Sequence, residues 1–160
     1  MSSLIDIREL LEYNKNVRHR YFEIFTKMSW EDFTKNREAS FHSIRNIFVH
    51  TLNAIDFWLD FLQKKSLHSK KRFREYETLD EVRTYMQHVE KRMQDYLDLL
   101  SIDELNRKYI VTNDEGKNVE VTAEDILIHV FEEEVHHRGE IIALLWQIGI
   151  EPPLMGWKEL

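Results

Sequence analysis

No cysteine occurs among the 160 residues. That absence removes disulfide bonds, thiolate metal ligands and thiol nucleophiles together. Glycine and proline are scarce too, at four and two residues. The two prolines are adjacent, at 152 and 153. An all-β fold would need far more turn chemistry than this, so helices are favoured. No apolar run reaches the roughly 18 residues that span a bilayer. The opening MSSLIDIREL has no basic segment followed by an apolar one. The expectation is a soluble, cytoplasmic protein with no membrane partner. A net charge of −7 argues against nucleic acid as a partner, because that affinity rests on neutralising phosphates. No Gly-rich phosphate loop and no serine nucleophile motif is present. The length suits one domain, taken as residues 1–160, with a single core.

Four helical patterns organise the chain. The first runs from about Leu4 to Met28, with Ile7, Leu10, Leu11, Val17, Tyr21, Ile24 and Phe25 at helical spacing. The second, from about Ser40 to Gln63, carries Ile44, Ile47, Phe48, Ile55, Trp58, Leu59 and Leu62. The third opens on Thr78 with Glu81 three residues later, a reciprocal capping signature, and continues as Val82, Met86, Val89, Met93 and Tyr96. The fourth opens on Thr122 and runs to about Ile148, where Gly149 suits a C-cap and Pro152–Pro153 a stop. Between the last two, Tyr109–Thr112 and Asn118–Val121 flank a polar turn and read as a short β-hairpin. The predicted fold is all-α, a four-helix bundle with one small hairpin between the third and fourth helices. The basic stretch KKSLHSKKRFR (64–74) reads as a solvated connection.

The densest chemistry is EEEVHHRGEI, residues 132–141. On a wheel of about 100° per residue with Glu133 at zero, Ile126, Val130, Ile141, Leu144 and Ile148 fall between roughly 20° and 80°. Glu133 lies on the edge of that stripe and His137 within it, while His129, His136 and Glu140 fall outside. A carboxylate facing a core is costly unless paired, hydrogen-bonded or metal-bound. Glu133 and His137 are one turn apart on one face, so they suit either a Glu–His hydrogen bond or one shared ion. The ion needs a third ligand from another helix. On the second helix His50 lines up with Ala54, Phe57 and Phe61 beside the apolar arc. His42 shares a side with Asn53, Asp56 and Asp60 and reads as surface. Histidines 19, 68 and 88 sit among charged neighbours. Asn14 interrupts the apolar stripe of the first helix, either as a buried hydrogen bond fixing register or as a group lining a pocket and supporting a bound cofactor. Trp58 and Trp146 suit core faces, and Trp30 and Trp157 suit anchors at helix junctions.

The stretches HVFEEEVHHRGEIIALLWQIGIEPP (129–153) and SIRNIFVHTLNAIDFWL (43–59), with the hairpin between the last helices, resemble the DinB-like superfamily of proposed metal-dependent enzymes. The resemblance covers nearly the whole chain. It implies a four-helix bundle, often a homodimer. It also implies a divalent ion held by one histidine of the second helix and two residues one turn apart on the last. Those positions fall on His50, Glu133 and His137. The family's usual residue at the middle position is histidine, so Glu133 is a departure that changes three histidines into two histidines and a carboxylate. Zn²⁺ accepts such a set with an open position, and Ni²⁺, Fe²⁺ or Mn²⁺ could also occupy it.

The resemblance further implies thiol transferases or isomerases using low-molecular-weight thiols, and stress-associated proteins of unknown activity. The expectation is a metal-dependent enzyme acting on a small molecule, a thiol S-transferase or hydrolase of detoxification, whose nucleophile is water or a thiol on the ion. The rival reading is a non-catalytic bundle with a structural ion, or one that Glu133 has deprived of metal. An access route to the ligands separates catalysis from structure. Phe57, Trp58, Phe61, Trp146 and the Leu154–Trp157 tail supply more apolar surface than one bundle needs, which together with the resemblance suggests a symmetric homodimer.

Overall fold

The first long helix, α1 (Ile7–Lys27), begins where the Asp6 carboxylate accepts a hydrogen bond from the Arg8 amide. That satisfies one of the four donors a helix start leaves free. The computed structural model describes residues 5–160, apart from the side chain of Glu159, so the start expected at Leu4 lies outside the described residues. A five-residue helix, α2 (Trp30–Thr34), follows with Ser29 as its cap. Helix α3 (Ile44–Leu62) starts later than the Ser40 expected, because Ser43 provides the cap. His42 stands before it in a turn with φ +73°. Helix α4 (Leu79–Asp98) has the expected reciprocal cap, in which Thr78 accepts from the Glu81 amide and Glu81 from the Thr78 amide. A four-residue helix, α5 (Ile102–Leu105), leads into the hairpin of β1 (Lys108–Thr112) and β2 (Asn118–Thr122). The last helix, α6 (Ala123–Gln147), is capped by Thr122 and Asp125. It ends with Gly149 at φ +75°, where the Gly149 and Ile150 amides donate to Trp146 and Leu145 carbonyls. That pairing needs a left-handed residue, which glycine adopts without a Cβ penalty.

The four expected long helices and the single hairpin are therefore present, with two short helices added. Helices α1 and α3 each pack against both α4 and α6. Their apolar stripes meet in a core that includes a cluster of Phe25 with Phe33 and Phe48, at ring separations of 4.9 and 5.1 Å. The hairpin is antiparallel, pairing Tyr109 with Val121 and Val111 with Val119. With a side-chain period of two, these four residues share one face. Tyr109 is buried and donates a hydrogen bond to the Leu62 carbonyl at 3.1 Å, tying that face to the end of α3. Trp58 packs against the core, but Trp146 is 59 % exposed and is not the core residue its spacing suggested. Among the described residues no helix is long and apolar enough to cross a membrane.

Two buried polar clusters hold helices together. Arg18 on α1 forks onto both Glu134 oxygens at 2.7 and 2.8 Å and reaches Glu90 on α4 at 2.8 Å. Burial alone would lower the Arg18 pKa, but Glu134 and Glu90 outweigh it and raise it. The second cluster overturns the solvent-facing reading of one side of α3. Asp56 and Asp60 are buried there. Arg92 of α4 contacts Asp56 and donates to Asp60 at 2.8 Å. Lys70 donates to Asp56 at 2.7 Å, and His68 Nδ1 lies 2.9 Å from Asp60. The basic 64–74 stretch is thus partly a strap pinned to two buried carboxylates.

This cluster makes a pH prediction. Burial pushes the Asp56 and Asp60 carboxyls up, yet Lys70 and Arg92 outweigh it and hold both below the ordinary carboxylate range. Such a group stabilises the fold above its unfolded-state pKa of about 3.9, and the contribution is lost as pH falls through the lower folded value. In Asp56→Asn, stability at neutral pH is expected to drop, and the further loss between about pH 4 and about pH 2 to become shallower. Urea midpoints across that range check both. An unchanged acid slope would place the acid sensitivity elsewhere.

Candidate metal centre

Helices α3 and α6 bring His50, Glu133 and His137 together. Glu133 Oε2 lies 3.7 Å from His50 Nε2 and 3.5 Å from His137 Nε2. One donor atom from each of the three lies within 4.8 Å of the others. The two imidazoles meet edge to face at a centroid distance of 4.6 Å. All three side chains are partly buried, His137 most deeply. Burial and the neighbouring His137 together outweigh Glu133 and lower the His50 pKa, which favours its neutral imidazole.

The orientation of each ring has a local cause. His137 Nδ1 lies 2.7 Å from Glu140 Oε1, one turn further along α6. Glu140 also accepts from the Ser40 hydroxyl at 2.8 Å and the Ser40 amide at 3.2 Å. Burial pushes the Glu140 carboxyl up, but the Ser40 and His137 hydrogen bonds prevail and hold it down, so it is an anionic acceptor. An anionic acceptor favours a proton on Nδ1 and turns Nε2 toward Glu133. His50 stacks on Phe41 at 3.9 Å with planes 19° apart. Ser40 and Phe41 both belong to the turn before α3, so that turn clamps both histidines.

The remaining candidates are placed elsewhere. His136 is exposed, as its wheel position implied, and has only a 3.8 Å approach to Glu132. His129 stands edge-on to Trp58, and His42 is exposed. Asn14 is buried between α1 and α6, donating to the Phe131 carbonyl at 3.1 Å and accepting from Arg138 at 3.2 Å. Its contacts are those of a register-fixing hydrogen bond, and it does not line the cleft beside His50. The buried arc of α6 is wider than the apolar residues alone marked, since Glu134 and Arg138 lie inside it. Glu140 went unassigned because its wheel angle falls outside the stripe. Its i+3 spacing from His137 was the available signal. Nothing in the local sequence marks Ser40 or Phe41, whose partners are distant in the chain.

Two of the three side chains, His50 and Glu133, line open space. His50 and Glu133 form one end of a cleft of about 830 Å³ between α3, the N-terminal half of α6 and the hairpin. The molecule is thus a bundle of four long helices with three convergent nitrogen and oxygen donors at the mouth of a cleft. The sequence profile of the DinB family matches residues 1–159, and the chain belongs to that family. It is similar to the uncharacterized protein YizA of Bacillus subtilis (strain 168), at 24 % identity over 144 residues, covering 90 % of this chain and 89 % of that protein. The crystal structure of a DinB-like protein, YjoA, from Bacillus subtilis has the same fold, with a TM-score of 0.65 at 16 % identity, covering 90 % of this chain and 95 % of that one.

Proposed function

We propose that His50, Glu133 and His137 hold a divalent ion, with Zn²⁺ preferred, and that the protein is a metal-dependent enzyme acting on small molecules. The observation that carries this is the separation of the three donors. An N–H···O hydrogen bond spans about 2.7–3.2 Å, so the 3.5 and 3.7 Å separations are too long for a simple Glu–His pair. Two ligands each about 2.1 Å from a tetrahedral ion stand about 3.4 Å apart, which both separations approach. An ion in this place supplies Lewis-acid activation of water or of a low-molecular-weight thiol. The chain's own groups complete the arrangement. Glu140 and Ser40 hold the Nδ1 proton of His137, Phe41 fixes the plane of His50, and the cleft admits substrate from one side. The open side favours catalysis over a closed structural site.

The test is elemental analysis of protein purified without added metal, followed by thiol conjugation and ester hydrolysis assays. One ion per chain is expected, with turnover that chelation removes and Zn²⁺ restores. A fully loaded protein that turns over neither class of substrate would overturn the enzymatic part of the proposal. The supporting hydrogen bond makes a separate prediction. Glu140→Ala should weaken metal affinity by about 10- to 100-fold while leaving stability almost unchanged, because it frees the His137 ring without removing a donor. Competition against a chelator of known affinity reads this directly. An unchanged affinity would mean that packing alone orients His137.

A further inference from the structure

The cleft beside the candidate centre is elongated, and its two ends differ chemically. His50 and Glu133 stand at one end. Along α3 the same wall continues through Ala54 to Phe57 and Trp58. At 1.5 Å per residue, the seven positions from His50 to Phe57 span about 10 Å. The facing wall is the hairpin, whose paired Val111 and Val119 share the face that also carries Val121. Phe57 and Val119 remain 38 % and 39 % exposed at the cleft, so apolar surface there is open to solvent.

Lys70, His68 and Asp125 of this cleft are already engaged, whereas Asp114 at the hairpin turn, which also lines it, makes no ion pair among the described residues. Lys70 and His68 are held by Asp56 and Asp60, and Asp125 caps α6 by accepting from the Thr122 amide at 2.8 Å. What the distal end offers a ligand is therefore two aromatic rings and branched aliphatic groups. Small-molecule sites combine such apolar walls with a few convergent polar groups. Here Asn53, Thr112, Asn113 and Asp114 are polar lining groups as well, so the apolar strip is Phe57 and Trp58 facing Val111, Val119 and Val121.

We infer that the cleft takes an elongated amphiphilic small molecule, with a metal-binding head at His50 and Glu133 and an uncharged tail of roughly phenyl size between Phe57 and Val119. The head rests on the metal reading above, and the tail rests on the cleft alone. The occupant is thus an aryl or branched alkyl compound, and a compact hydrophilic one such as a free sugar or amino acid would leave the apolar end unfilled.

Two hydroxamates with the same head separate these contributions. Acetohydroxamate carries no tail, and 6-phenylhexanohydroxamate places a ring about 10 Å from the head, the span from His50 to Phe57. On the metal-loaded protein, calorimetry is expected to find the phenyl compound bound at least about tenfold more tightly, the gain for burying a ring. Phe57→Asp and Val119→Asp, on different elements, should each bring the ratio of the two affinities close to one with metal content unchanged. Should one variant fold poorly, the other carries the test. The Val111 and Val119 methyl resonances should shift with the phenyl compound and stay in place with acetohydroxamate. Equal affinities in the wild type, or unmoved methyl resonances, would overturn the inference. Protein without stoichiometric metal would instead overturn the metal reading, and methyl shifts in that metal-free protein would still decide the tail site.

Discussion

In a His137→Ala variant, stoichiometric metal is expected to disappear, while His136→Ala retains it. The two histidines are adjacent in sequence and differ in burial. His137 is the most buried of the three clustered side chains and turns Nε2 toward Glu133, whereas His136 is 64 % exposed at its side chain. Loss of a direct donor should exceed the roughly 100-fold upper end of what losing a supporting hydrogen bond costs. Glu133→His, by contrast, should keep one ion per chain with altered metal preference, because an imidazole at that position also presents a donor to the same point. Elemental analysis of the three variants, purified alike, decides the matter. Equal loss from His136→Ala and His137→Ala would refute the assignment of the inward ring.

The largest effect on stability is expected at Arg18. Its guanidinium lies buried against both oxygens of Glu134 and one of Glu90, with side-chain exposures of 6 and 9 % on the two sides of the Glu134 pair. Arg18→Met leaves the Glu134 carboxylate buried without its partner. Breaking a buried pair from one side costs about 3–5 kcal/mol, since the remaining charge cannot return to water. A double change, Arg18→Met with Glu134→Leu, removes the stranded charge and should recover much of that loss. The exposed Lys91–Asp95 pair on α4 is the control, where Lys91→Ala should change little because solvent already screens it. Guanidinium unfolding of the three variants and the wild type provides the comparison. A double variant no more stable than Arg18→Met would show that packing around the arginine stem, and not the ion pair, dominates.

Different physical features made different parts of this protein legible. Two helix starts were readable from local caps, although Ser43, as local a cap, was passed over for Ser40. Thr78 with Glu81, Thr122 with Asp125 and Gly149 each act within a few residues, and each lies where the sequence places it. Apolar periodicity located the four long helices for the same reason, since burial of a stripe repeats with the helix turn. The hairpin followed from alternation around a polar turn. Short helices α2 and α5 escaped because four or five residues are too few to establish a period.

The pairing of Glu133 with His137 was also local, one turn apart on α6. Their meeting with His50 depends on how α3 lies against α6, and no spacing along one helix specifies that. For the same reason spacing alone left both a hydrogen bond and a metal site open at Glu133, and the interatomic separations support the proposal of an ion. Asp56 and Asp60 looked solvated because charge alone argues for water, and nothing along the chain marked Glu134 and Arg138 as buried. Their burial is stable only because Arg92, Lys70, Arg18 and Asn14 arrive from elements remote in sequence. Ser40 and Glu140, 100 positions apart, complete the histidine clamp in the same way. The sequence by itself determined the four long helices, the hairpin and the donor types available, because those follow from neighbours along the chain. The tertiary structure alone decided which donors converge, which charges are buried and where the cleft opens, because each of these depends on the relative placement of separate helices.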